Sequence, residues 1–267
     1  MAQLFTLQNF QVSYLRATHA LQVTWNDPAH IENYTLAQAA AETEQILTWA
    51  LHHLEVNALI WRNDFNLTLP LSLTEQQSYG LADMQALLVR WHKIIFSLYC
   101  LPQTIIFDLG PGAQGLGAEW ACGADLRLAQ KKVQISFNHL SLGRLPFGGI
   151  SFLATVVAPA FAKAWYLGGI NPSPEELRQA GLIQELYEKC NLASYLKHIQ
   201  QQSPLARIQA KRAFLELQGP LLAQARQEIA LAQAALASGD WQQCPGHFTP
   251  ALDLGSKIRQ ARPDLNQ

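Results

Sequence analysis

Apolar and polar residues alternate from Phe10 to Leu15 and again from Ala20 to Trp25, a period of two that predicts a hairpin or two neighbouring strands. Asn26-Asp27-Pro28 then stops the pairing. From Thr35 to Leu54 the apolar positions recur at helical spacing (Leu36, Ala39, Ala40, Thr43, Ile46, Leu47, Ala50, Leu51, Leu54), with Thr35 as the N-cap. A β-rich run over Val56–Trp61 follows, then a long amphipathic pattern from about Thr74 to Leu98 ahead of Pro102, then a strand over Thr104–Leu109. Strand, helix, strand, helix, strand in this order predicts parallel pairing through right-handed crossovers, an α/β fold. Beyond it the chain predicts a Gly-rich helix from about Leu116, strands over Leu126–Ala129 and Val133–Phe137, and helices over Gly149–Val157 and Ala160–Leu167. After Gly181 it reads as almost wholly helical, with Leu192–Gln201 and one long run from Pro204 to Ser238.

Composition narrows the picture. The 267 residues are 49% hydrophobic and 15% charged, against roughly 25% charged in an average soluble domain. So little charge predicts apolar surface held against another subunit, hence an oligomer. A formal net charge of -1 without a Lys/Arg cluster argues against a nucleic-acid partner. Cys100, Cys122, Cys190 and Cys244 stand far apart and form no metal-ligand spacing, as reduced cytoplasmic thiols would, so no metal is expected. The N-terminal MAQLFTLQNF lacks the basic and apolar regions of a secretory signal, and the apolar run Ile150–Leu167 is broken by Pro159 and Lys163. A cytoplasmic protein without a membrane span is the expectation.

Candidate chemistry concentrates in Ile105–Ala129, IIFDLGPGAQGLGAEWACGADLRLA. A strand enters a glycine-rich turn that opens a small-residue helix, with Glu119 in its first turn. Unpaired N–H groups and the helix dipole make such a turn receptive to developing negative charge. Glu119 is either an acid/base group or a first-turn carboxylate favoured by its own helix dipole.

Across roughly residues 10 to 190 the sequence resembles the crotonase family, the enoyl-CoA hydratase/isomerase superfamily. LQVTWNDPAHIEN looks like its first strand and N-x-P turn, and VNALIWRND occupies the next strand. LPQTIIFDLGPGAQGLGAEWACGADLRLA is similar to the NGxAxGGGxELAxxCD segment, LSLGRLPFGGISFLA to LG-x-x-P-x-x-GG, and SPEELRQAGLIQELYE to A-x-x-A-x-x-x-GLV. The resemblance implies a crotonase-like spiral core of ββα units over residues 1–190 and a C-terminal helical trimerisation region over 191–267. It implies a homotrimer or hexamer that binds an acyl-CoA or acyl-carrier thioester, with no cofactor beyond the CoA or carrier moiety. Lys163, Lys257 and Arg259 are candidates, by charge alone, for the CoA phosphates.

By the same resemblance, two backbone N–H groups hold the thioester oxygen, and they map to Leu71 and Leu116. Gly115 and Gly117 keep the turn open beside Leu116, and the first loop reads LTLPLSL, with Pro70 before Leu71. Glu119 takes the place of the family's first glutamate. His139 stands where hydratases carry their second, because NHLSLG replaces P-E-x-x-L-G. Asp108, inside the strand where the family has a small apolar residue, either enters the acyl pocket or holds a loop. The implied activity is enolate chemistry on an acyl thioester with Glu119 as acid/base. The alternative is a catalytically degenerate subunit that binds a thioester or scaffolds an active partner.

Overall fold

The computed structural model of the chain describes residues 5–219 and 221–242. Strands β1 (Phe10–Leu15) and β2 (Ala20–Trp25) form an antiparallel hairpin, with Phe10 opposite Trp25 and Leu15 opposite Ala20. Helix α1 (Leu36–His52) starts at Thr35, whose hydroxyl accepts from the Gln38 N–H at 3.0 Å. The chain continues through β3 (Ala58–Arg62), α2 (Leu73–Ser78), α3 (Leu81–Cys100), β4 (Thr104–Asp108), β5 (Gly112–Gln114) and α4 (Leu116–Cys122). After these come β6 (Leu126–Gln130), β7 (Gln134–Ser136), α5 (Gly149–Val156), α6 (Pro159–Tyr166), α7 (Pro174–Gln179) and β8 (Glu185–Tyr187). Helices α8 (Leu192–Gln200), α9 (Pro204–Leu217) and α10 (Leu221–Leu236) complete the described elements.

The large sheet is ordered β1-β2-β3-β4-β6-β8, and every pairing after the hairpin is parallel. A second, parallel sheet joins β5 to β7, and Leu67 adds a bridge opposite Ala113. Each pass of the chain therefore lays a strand in the large sheet, a short extended stretch in the small one, and then a helix. This is a spiral of ββα units, with β4, β5 and α4 as the turn that carries the glycines.

Between the sheet and its helices lies an aromatic core. Trp61 of β3 meets Trp120 of α4 edge to face at 4.9 Å between ring centroids, and Trp91 of α3 approaches Trp120 from a further side at 6.0 Å. All three rings are fully buried. Edge-to-face aromatic pairs contribute about 0.5–1.5 kcal/mol beyond their area burial, so this cluster fixes the depth and rotation of α4. On the other face of the sheet, Leu196 and Ile199 of α8 cover Ala20, Ala58, Ile60, Ile106 and Leu128.

Three expectations from periodicity are corrected. The pattern from Thr74 to Leu98 is two helices, because Gly80 is extended and Asp83 accepts its N–H at 2.9 Å, starting α3 afresh. The run from Pro204 to Ser238 divides into α9 and α10 after Gly219, whose φ is +58° and which precedes Pro220 in sequence. The region after Gly181 also contains β8, which extends the sheet beside β6. Cys244, Lys257 and Arg259 lie outside the described residues. Among the described residues no helix is long and apolar enough to cross a membrane.

Gly117 is where α4 packs closely on the backbone at Leu67. A Cβ there would lie 2.2 Å from the Leu67 carbonyl oxygen, which already accepts the Gln114 N–H at 2.8 Å. Backbone cannot yield as a flexible side chain can. Gly117→Ala is expected to destabilise the fold by about 1–3 kcal/mol or more, read as a lower urea midpoint with an unchanged slope.

Candidate active site

Glu119 occupies the first turn of α4, which opens at Gly115 with φ +53°. Its carboxylate is completely buried. Oε2 accepts the N–H of Gly149, the first residue of α5, at 2.9 Å. Oε1 touches Nε2 of His139, itself buried, without an aligned hydrogen bond. His139 follows β7, in a turn closed by its own carbonyl, which accepts from Leu142 N–H (2.9 Å) and Arg144 N–H (3.1 Å). Tyr166 of α6 completes the cluster, its ring 6.0 Å from that of His139. Its buried hydroxyl has no hydrogen-bond partner among the described residues. Burial, reinforced by the Glu119 charge, holds the Tyr166 pKa well above the usual phenol range.

A second carboxylate shares the start of α5. Glu228, from α10, accepts the Ile150 N–H at 3.0 Å through Oε1, and through Oε2 the Ser151 N–H at 2.8 Å and hydroxyl at 2.6 Å. Together the two glutamates satisfy the first three N–H groups of a helix whose N-cap, Gly148, offers no side chain. Burial outweighs those donated bonds, and with the Glu119 charge it pushes the Glu228 carboxyl up to about 7.

In front of this cluster lies a cleft of about 620 Å³. Leu71, Gly115, Leu116, His139 and Arg144 line it, together with Leu36, Phe147 and Trp241. The N–H groups of Leu71 and Leu116 have no acceptor among the described residues. Leu71 is presented by a constrained loop: Leu69 has φ +48°, and Pro70 fixes the next φ. The loop is pinned on one side by the Leu67–Ala113 bridge and on the other by Glu75. That carboxylate accepts from Ser72, Leu36 and Ala37 N–H, each at 2.9 Å, capping α1 and α2 at once.

The structure thus brings Leu71, Gly115, Leu116 and His139 to one cleft, with Glu119 directly behind His139 rather than on the surface. It does not bring Gly117 or Asp108 there. Gly117 packs against Leu67, as above. Asp108 is buried at the end of β4, where it accepts from the Tyr187 hydroxyl and, at 3.3 Å, from the Gly110 N–H, with Arg62 Nε 4.0 Å away. Sequence reasoning passed over Glu228, Tyr166 and Arg144. Their only signal was a polar residue at a position that the helical period or the loop pattern leaves buried.

Comparison with known proteins places this geometry among relatives. Residues 78–249 match the family model for enoyl-CoA hydratase/isomerase. The Bacillus subtilis (strain 168) protein YngF, whose name carries the same description, is 28% identical over 121 residues. That match spans 43% of this chain and 46% of YngF, so the chain aligns with about half the length of this relative. Among solved structures, an enoyl-CoA hydratase from Mycobacterium avium subsp. paratuberculosis K-10 superposes with a TM-score of 0.76 at 16% identity, over 89% of this chain and 98% of that one. An enoyl-CoA hydratase/isomerase from Xanthobacter autotrophicus Py2 gives a TM-score of 0.75 at 19% identity, over 88% and 91%. The expected crotonase-like core is the observed fold.

The Glu228 environment has a measurable consequence. A carboxyl raised in the folded state keeps its proton there while the unfolded chain has lost its own, so stability falls as pH rises from the ordinary glutamate value to about 7. The loss over that window is on the order of 3 kcal/mol, and it does not grow further above pH 7. Chemical denaturation at a series of pH values is expected to show this decline in the wild type and a flatter profile in Glu228→Gln.

Proposed function

Because the chain belongs to the enoyl-CoA hydratase/isomerase family, we propose that it is an enzyme acting on an acyl thioester through an enolate, with Glu119 and His139 working as a pair. The thioester oxygen sits between the Leu71 and Leu116 N–H groups, two unpaired donors at the cleft. A preorganised donor of this kind typically contributes ~2.7–4 kcal/mol to the transition state. His139 is the side chain at the cleft, and imidazole carries protons efficiently near neutral pH. It removes or delivers a proton at a carbon near the thioester carbonyl. Glu119, held by Gly149, orients the ring and stabilises its cationic form, so its acid/base role is exercised through His139. No cofactor beyond the CoA or carrier moiety enters this scheme.

The observation that carries the reading is the buried Glu119–His139 contact beside a cleft whose lining includes Leu71 and Leu116, two residues with unpaired backbone N–H groups. Homotrimeric or hexameric assembly belongs to the same proposal, supported by Leu205, Phe214 and Leu217, which α9 leaves more than half exposed. Sedimentation velocity measures that state directly.

A second reading, a degenerate subunit that only binds a thioester or scaffolds a partner, is favoured by one feature: no carboxylate lines the cleft itself. Turnover separates the two. With enoyl-CoA substrates of several chain lengths, His139→Gln and Glu119→Gln are each expected to lower kcat/KM by about 10²–10⁴. The double variant should lose little more than the weaker single one, because groups acting as a unit are not additive. Tight thioester binding by calorimetry with no turnover of any substrate would establish the second reading instead.

A further inference from the structure

Among the described residues, Arg144 is the only permanently charged side chain lining the cleft. Its Nε is shut off from solvent and has no hydrogen-bond partner among the described residues, and none of their ion pairs includes it. Arg144 is half-buried, and a guanidinium drawn partly out of water with no anion beside it leaves donors open to one. Arg127, which is fully buried, spends its guanidinium on the carbonyls of Leu182, Ala121 and Ala124. Arg144 instead turns its fork, suited to a two-oxygen anion, towards an open volume.

We propose that Arg144 binds a carboxylate on the acyl group, so that the substrate is the thioester of a dicarboxylic acid. The proposal rests on the thioester reading above and adds the chemistry of the acyl end. Two observations place the anion at the reacting end of the cleft rather than on the CoA phosphates. The backbone N–H of Arg144 donates to the His139 carbonyl, which puts the two residues in one turn. The charge of Glu119 also reaches the guanidinium, raising its pKa against the lowering effect of burial. The phosphates of CoA are separated from the thioester by the whole pantetheine arm, away from Glu119. Within the cleft the Leu71 and Leu116 N–H groups take the thioester oxygen and Arg144 takes the second acid group, a two-point grip that sets the orientation of the carbons between them.

Calorimetric binding to the full chain tests this with malonyl-, succinyl- and glutaryl-CoA against propionyl-, butyryl- and valeryl-CoA, and with the matching pantetheine thioesters, which carry no phosphate. At least one dicarboxylic thioester is expected to bind about 30-fold more tightly than its monocarboxylic partner of equal carbon number, in both the CoA and the pantetheine series. Arg144→Gln should remove that preference and Arg144→Lys restore part of it. Equal affinity of every dicarboxylic and monocarboxylic pair in the wild type overturns the inference, whatever the variants do, and leaves the thioester reading standing. A loss in Arg144→Gln that is uniform across free CoA and all CoA thioesters, with no preference in the pantetheine series, assigns Arg144 to a phosphate and also overturns it. Failure of every thioester to bind removes the thioester reading, and the inference with it.

Discussion

Bonds from buried carboxylates to backbone N–H groups hold this fold in register, and the site is built from what those bonds leave over. The first N–H groups of any helix lack intrahelical acceptors, and leaving one buried and unpaired costs about 1–3 kcal/mol. Glu42 takes up the N–H of Asn9 at 2.8 Å, Glu75 those of Leu36 and Ala37, and Glu119 and Glu228 the first three of α5. Each bond joins segments distant in sequence. Glu119 is thereby fixed through one oxygen, and the other is left to meet His139. The orientation of the catalytic candidate follows from a structural bond.

That arrangement divides the polar groups by how far burial lets them ionise. Glu119 and Glu228 flank the same helix start, and two neighbouring desolvated negative charges oppose each other. The helix N-terminus helps one, while Glu228 is pushed towards its neutral form. Tyr166 responds in the same direction, its phenol kept protonated beside Glu119. Nitrogen groups lie on the cleft side of the pair, with His139 in contact and Arg144 within reach of the Glu119 charge. The back of the site is thus lined by oxygen and its front by nitrogen.

Local rules made the scaffold legible. Alternation located β1 and β2, and a threonine ahead of an apolar repeat located the start of α1. Glycine spacing located the turn before α4 and the Leu116 donor. What escaped was decided by tertiary contact. Strands β5 and β8 have three residues each, too short for a period to register, and exist because β7 and β6 offer edges. Glu228 reads as one more polar residue on an amphipathic helix, and its partners Ile150 and Ser151 lie more than seventy residues away. Asp108 was visible as a buried carboxylate, but its partner Tyr187 belongs to a strand that the helical reading concealed. Arg144 sits inside a recognisable motif, where its neighbours drew the attention.

The histidine at position 139 is best understood through these same electrostatics. The family pattern places a glutamate there, and in this chain that would bring a second carboxylate directly against the buried Glu119. An imidazole accepts a proton while compensating the Glu119 charge instead of adding to it. Its flat ring also fills the space beside Gly115, whose Cβ position lies 3.9 Å from the same Nε2 that meets Glu119, so the ring is held against the N-terminal turn of α4. Histidine in place of the second glutamate thus sets a group of opposite charge type, rather than another acid, against the carboxylate oxygen of Glu119 that α5 leaves unbonded.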